Sequence, residues 1–264
     1  MTTEEFFGFL RLPFGKDLAP SSLYLTPHHR QTLARLERLI AHGGHAALTG
    51  EVGVGKSTLL RALIDRLPPS RTCCLYVGHN YPSRGIMRHI AENLGLAPYW
   101  LRADLLPQVQ HAIAEQFDKA GRRTVLIVDE SHLAHVAVLE DLRLLTNFQV
   151  DSKPILSLLL VGQPPLRQRL RLKAAEALKQ RLETELTLEP LTRQEVTAYL
   201  QHHLAQAGHQ GPLFSGAAEE MLFDQSQGIP RKLNQLALQA LEVAAERDEK
   251  IVDERLIELA LTLN

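Results

Sequence analysis

Between Ala46 and Leu188, short apolar runs alternate with segments whose apolar residues recur every three or four positions. After Leu191 only the second pattern remains. The runs at Ala46–Thr49, Thr72–Val77, Thr124–Glu130 and Ile155–Val161 are too short for helices and are bounded by Gly, Pro or polar residues, so they predict buried strands. Thr184–Leu188 alternates in type and predicts a fifth, shorter strand. Helical spacing predicts helices over about 27–42, 57–67, 83–94, 105–120 and 139–148, and a basic, interruptible helical segment over 166–181. Pro27 suits a first helical turn, and Gly43–Gly44, Pro68–Pro69 and Gly95 suit helix ends. Strands separated by helices at this rhythm predict an α/β, three-layer sandwich around a mostly parallel sheet.

The all-helical remainder predicts a second, smaller domain. Thr192-Arg193-Gln194-Glu195 reads as a capping box opening a helix to about Ala207. Further helices are expected over 215–225, 231–247 and 253–263, with Gly228-Ile229-Pro230 as a break. The expected division is residues 1–190 as an α/β domain with an N-terminal arm, and 191–264 as a helical lid. The arm carries Phe6-Phe7-Gly8-Phe9 and Leu12-Pro13-Phe14 and is expected to pack irregularly on the main domain.

Composition narrows the class. At 264 residues, 45% hydrophobic and 22% charged, the chain is of ordinary globular make-up and can bury a sizeable core. With aromatics at 5%, that core must rest on Leu, Ala, Val and Ile. A formal charge of -1 excludes a globally basic nucleic-acid coat but leaves room for local patches. No run approaches the roughly 18 apolar residues of a membrane helix, and the N-terminus lacks a signal-peptide pattern, so a cytoplasmic protein without a membrane partner is expected. Cys73 and Cys74 read as small apolar residues within a strand, and the twelve histidines show no zinc spacing.

The chemistry centres on Gly50-Glu51-Val52-Gly53-Val54-Gly55-Lys56-Ser57-Thr58, lying between a predicted strand and a predicted helix. That context is what a phosphate-binding loop requires. Glycines at 50, 53 and 55 would let successive N–H groups turn toward one anion, with the helix dipole behind them. Lys56 can reach β- and γ-phosphates of ATP, and the Ser57 hydroxyl can ligate Mg2+.

A second half-site is expected where the strand Thr124–Glu130 ends in its two acids, Asp129-Glu130. Asp129 is the candidate magnesium ligand, and Glu130 the base that orients the attacking water. Gln163, at the tip of the next strand, is the candidate contact to the γ-phosphate or the water. Arg231, opening a lid helix, and Arg181, ending the basic run, are candidate phosphate-directed cations.

These motifs resemble the AAA+ ATPases, and within them the ExeA-like group (general secretion pathway protein A). The similarity runs through Leu48–Thr58, Val128-Asp129-Glu130-Ser131-His132, Leu142–Phe148, Val161-Gly162-Gln163-Pro164-Pro165-Leu166 and Gly228-Ile229-Pro230-Arg231. It implies the sheet order 5-1-4-3-2, a helical lid, and a nucleotide site completed between subunits of a ring or filament. It also implies that Arg181 is the finger reaching a neighbour's nucleotide and Arg231 the lid sensor. Ending at Asn264, the chain is similar too to transposition regulators of the TniB, TnsC, MuB and IstB kind. That likeness implies a homo-oligomer that assembles on double-stranded DNA with ATP and recruits a transposase. Tyr81, Arg84 and Arg88, where a helix begins after the second strand, are then the candidate DNA contacts, since arginines at a helix start suit phosphate binding. The alternative expectation is an ATPase serving secretion-complex assembly without DNA.

Overall fold

The computed structural model describes residues 2–15, 18–78, 85–148 and 154–262. In chain order the elements are α1 (Thr3–Phe7), α2 (Pro27–Ala41), β1 (Ala46–Gly50), α3 (Lys56–Arg66), β2 (Thr72–Val77), α4 (Ile86–Asn93), α5 (Arg102–Ala120), β3 (Arg123–Val128), α6 (Val136–Leu145), β4 (Leu156–Gly162), α7 (Pro165–Leu170), α8 (Glu176–Lys179) and β5 (Thr184–Leu188). Four helices follow: α9 (Arg193–Gln206), α10 (Gly216–Ser226), α11 (Pro230–Glu246) and α12 (Glu254–Thr262).

The five strands form one parallel sheet in the order β2-β3-β4-β1-β5, which is the expected order read from the other edge. Every residue of β1 and β4 is buried, as in β3 after Arg123, because both faces of a central parallel strand are covered. Alternation sorts their side chains. Leu126 and Val128 of β3, with Leu158 and Leu160 of β4, join the core built with α4, α5, α6, α7 and α8. Val125 and Ile127, with Leu159 and Val161, are buried on the opposite face.

The basic segment between β4 and β5 is not one helix. It breaks after Leu170 and resumes through a 3₁₀ turn at Lys173–Ala175. Leu166, Leu170, Ala175 and Leu178 enter the core, while Arg171 and Lys173 stay in water. At the other extreme, α5 begins at Arg102 and runs through Pro107, ahead of the expected start at Leu105. Pro107, the sixth residue of α5, has no N–H to give Ala103 O and so interrupts the helix ladder at that point.

The molecule divides into two compact units. One comprises residues 29–52 and 59–188; the other comprises 1–28, 53–58 and 189–264. The arm therefore differs from its expected place on the α/β part. Phe6, Phe7, Phe9 and Phe14 share a core with Val196, Leu200, Leu222, Leu241 and Ile257 of the C-terminal helices. Bulky rings on a short arm need a deep apolar surface, and the helices α9–α12 supply it. The backbone ties agree: Leu10 N–H donates to Ala207 O at 2.9 Å, and Arg11 Nε donates to Gln206 O at 2.9 Å. In the helical unit, Thr192 and Glu195 form the capping box expected for α9. No described helix is long and apolar enough to cross a membrane.

Candidate nucleotide site

The phosphate loop follows directly on β1. Gly50 is the last residue of that strand and pairs with Leu188, so it needs no unusual backbone. Gly53 and Gly55 do: their φ values are +81° and +107°, in the region that favours glycine. The expectation for Gly50 is corrected accordingly, since a strand end supplies its conformation. Val54 is buried and plugs the loop into the core, whereas Glu51 and Val52 face solvent. Lys56 and Ser57 open α3, where first-turn N–H groups and the helix dipole favour an anion. Lys56 is 8% exposed, Ser57 is exposed and Thr58 half-buried.

Within its own unit the loop is braced by the start of α11. Arg231 N–H donates to Gly53 O at 3.2 Å, and a Cβ on Gly53 would come within 2.6 Å of Arg231 Cβ. Gly53 is thus required twice, by its φ and by this close approach. Gly228 is required in the same way: its φ is +67°, and a Cβ would meet Leu191 O at 2.0 Å. The Gly228-Ile229-Pro230-Arg231 motif places α11 on the loop through its backbone, and the Arg231 side chain is exposed.

The second half-site sits at the strand tips of the α/β unit. Asp129, 6% exposed, continues the ladder beyond β3 by donating its N–H to Val77 O at 2.9 Å. Its carboxylate accepts the Tyr76 hydroxyl on Oδ2 at 2.7 Å and the Glu130 N–H on Oδ1 at 2.8 Å. Burial, followed by the hydrogen bond to Asp129, pushes the Tyr76 phenol well above its ordinary pKa, so it acts as a donor. Glu130 then leaves the strand with a φ of +50°, strained for a residue with a Cβ. This turn, braced by Ser131 Oγ on Val128 O at 2.5 Å, breaks strand alternation and swings Glu130 toward β4.

There Glu130 Oε2 is 3.4 Å from Gln163 Nε2 and 3.4 Å from His132 Nδ1. The same His132 nitrogen is 3.4 Å from Gln163 N. The two His132 contacts exclude each other: without a proton Nδ1 accepts the Gln163 N–H, and with one it donates to Glu130. His132 packs so closely on β4 that a Cβ at Gly162 would meet its backbone N at 3.1 Å and its Nδ1 at 3.3 Å.

Glu130 and Gln163 are therefore brought together as expected, while Tyr76 and His132 are additions. Tyr76 lies in register with Ile127, two residues before Asp129, a placement that only the pairing of β2 with β3 reveals. The Arg181 Nη1 donates to Thr146 Oγ1 at 3.3 Å within the same chain. Of the DNA candidates, Tyr81 and Arg84 lie outside the described residues. Arg88, half-buried on α4, donates from Nη2 to Tyr99 O at 3.4 Å. Cys73 and Cys74 are free thiols on β2, and burial, then the neighbouring Cys73, raises Cys74 to about 11.

A glycine-cradled helix start beside β1 and an acidic tip on β3 within a five-stranded parallel sheet define a P-loop nucleotide-binding protein. A family model described as "AAA domain" matches residues 38–170, half of the chain, and the chain belongs to that family. It is similar to general secretion pathway protein A of Aeromonas hydrophila, with 37% identity over 256 residues. The alignment takes in 94% of this chain and 46% of that protein, so the chain spans about half the length of the curated relative it matches. Among solved structures, Cdc6p of Pyrobaculum aerophilum aligns with a TM-score of 0.68 at 18% identity, covering 90% of this chain and 67% of the other. The Aeropyrum pernix ORC1 protein in complex with DNA gives 0.68 at 17% identity, with 95% and 68% covered. The Thermotoga maritima RuvB Holliday junction branch migration motor gives 0.57 at 21% identity, with 89% and 68% covered. At these identities the structural likeness establishes the fold.

Proposed function

We propose that the chain binds ATP with Mg2+, hydrolyses it, and serves as the ATP-driven module of a secretion-complex assembly apparatus. The observation that carries the ATPase reading is the left-handed pair Gly53 and Gly55 at the start of α3. The residues fit the metal as well. A serine hydroxyl and a carboxylate oriented by two hydrogen bonds are the hard oxygen donors magnesium takes.

In this reading Ser57 and Asp129 would be the protein's ligands to the ion, which would supply positive charge against the phosphates. Loop N–H groups and Lys56 grip the triphosphate. Glu130, aimed by its strained backbone, takes a proton from the attacking water, and Gln163 orients that water or the γ-phosphate. Arg231 senses the nucleotide from the lid. Arg181 completes a neighbour's site in a homo-oligomer once released from Thr146.

The similarity over 94% of the chain to general secretion pathway protein A favours the secretion role over that of a transposase-recruiting, DNA-bound helper. Turnover assays with and without duplex DNA test both levels. Glu130→Gln is expected to keep ATP binding and lose about 10²–10⁴-fold in rate. Wild-type turnover should not change with DNA. A Glu130→Gln rate equal to wild type would remove the base assignment, and salt-sensitive DNA stimulation would restore the transposition reading.

A further inference from the structure

We infer that Tyr76 is a positioning residue for Asp129, one that sets the affinity of the site for its divalent cation. This rests on the ATPase reading and deepens it. Tyr76 lies on β2, an edge strand, and is 46% exposed. Its neighbours Leu75 and Val77 point into the core on the other face. What engages the phenol is its hydroxyl on Asp129 Oδ2, at 2.7 Å.

The register makes this contact possible. Tyr76 is level with Ile127, and Asp129 stands two residues further along the same face of β3. The ladder bond from Asp129 N–H to Val77 O holds the two strands in step where the side chains meet. Oδ1 accepts the Glu130 N–H at 2.8 Å, so each carboxylate oxygen has a donor that orients it. Together the two bonds fix the plane of the carboxylate.

A hydrogen bond to an ionised acceptor is stronger than a neutral one, and 2.7 Å matches the short distances such bonds show. Partners that orient a metal ligand typically govern 10–100-fold in metal affinity or activity. Tyr76 contacts neither substrate nor water in this scheme; it acts through Asp129.

The test is Tyr76→Phe, which removes one oxygen from an exposed ring. Mn2+ binding to the ATP complex is titrated by electron paramagnetic resonance, ATP binding is measured in EDTA, and turnover is followed against metal concentration. We expect Mn2+ affinity to fall by roughly 10-fold. ATP affinity in EDTA should be unchanged, and turnover should recover toward wild type at saturating metal. The same deletion in the helical unit, Tyr199→Phe, should leave Mn2+ affinity untouched. Equal Mn2+ affinity in wild type and Tyr76→Phe overturns the inference, as does an equal loss in Tyr199→Phe. A wild-type protein that binds no ATP overturns the ATPase reading, and the role of Tyr76 falls with it.

Discussion

Two clusters in this protein are built from much the same side chains and do different things. At the strand tips of the α/β unit, Tyr76, His132 and Gln163 surround Asp129 and Glu130. In the helical unit, Phe14 stacks on His203 with ring centroids 5.4 Å apart, His203 also meets Tyr199 at 4.4 Å and His202 edge-on, and Tyr24 lies edge-on to Tyr199. Among the described residues this cluster contains no carboxylate. Its polar atoms are closed locally, with Tyr199 OH on Asn234 Oδ1 at 2.8 Å and His202 Nε2 paired with Ser22 O at 2.8 Å. The strand-tip cluster holds two acids and a strained backbone at Glu130, whose side chain is only partly covered. Tyrosine and histidine therefore do not mark a site by themselves. A carboxylate held in a fixed orientation, next to backbone strain, separates the working cluster from the structural one.

The comparison breaks most visibly through pH. Burial, then His202 and Arg11, lower His203 from 6.5 to about 4. Its folded pKa lies below its unfolded value, so the unfolded chain takes up the proton first as pH falls. Stability from this residue is complete above about 6.5, is lost between 6.5 and about 4, and changes no further below that. The loss is roughly 3 kcal/mol. Urea unfolding across that range should show this slope in wild type and a flatter one in His203→Gln. An identical slope in the variant would assign the pH dependence elsewhere.

A smaller effect sharpens the contrast. Tyr199→Phe should cost about 1 kcal/mol of stability, because Asn234 Oδ1 loses its donor. Its rate of ATP turnover should match wild type. A turnover defect at unchanged stability would mean that the helical cluster also serves the reaction.

Much of this organisation was legible in the chain itself. The spans Thr72–Val77 and Thr184–Leu188 are found as expected, since their strand patterns end at clear Gly, Pro or charged boundaries. Glycine spacing at 53 and 55 is a direct imprint of positive φ. Other features need a neighbour that linear reading does not provide. Tyr76 acquires meaning only when β2 is set in register against β3, and His132 only when Gly162 leaves space for it. Glu130 looked like the next residue of a strand, but its left-handed backbone turns it toward β4. The arm showed its rings plainly and its destination not at all, because Phe6 and Phe7 meet residues more than two hundred positions away.

Everything functional depends on residues 50–58 gripping a triphosphate, and equilibrium dialysis of labelled ATP with Mg2+ tests this most directly. Wild-type protein is predicted to retain ATP, with Lys56→Ala binding roughly 10- to 100-fold more weakly, as expected for loss of a hydrogen bond from a charged group. Wild-type protein that retains no ATP, or Lys56→Ala that retains as much as wild type, would contradict it.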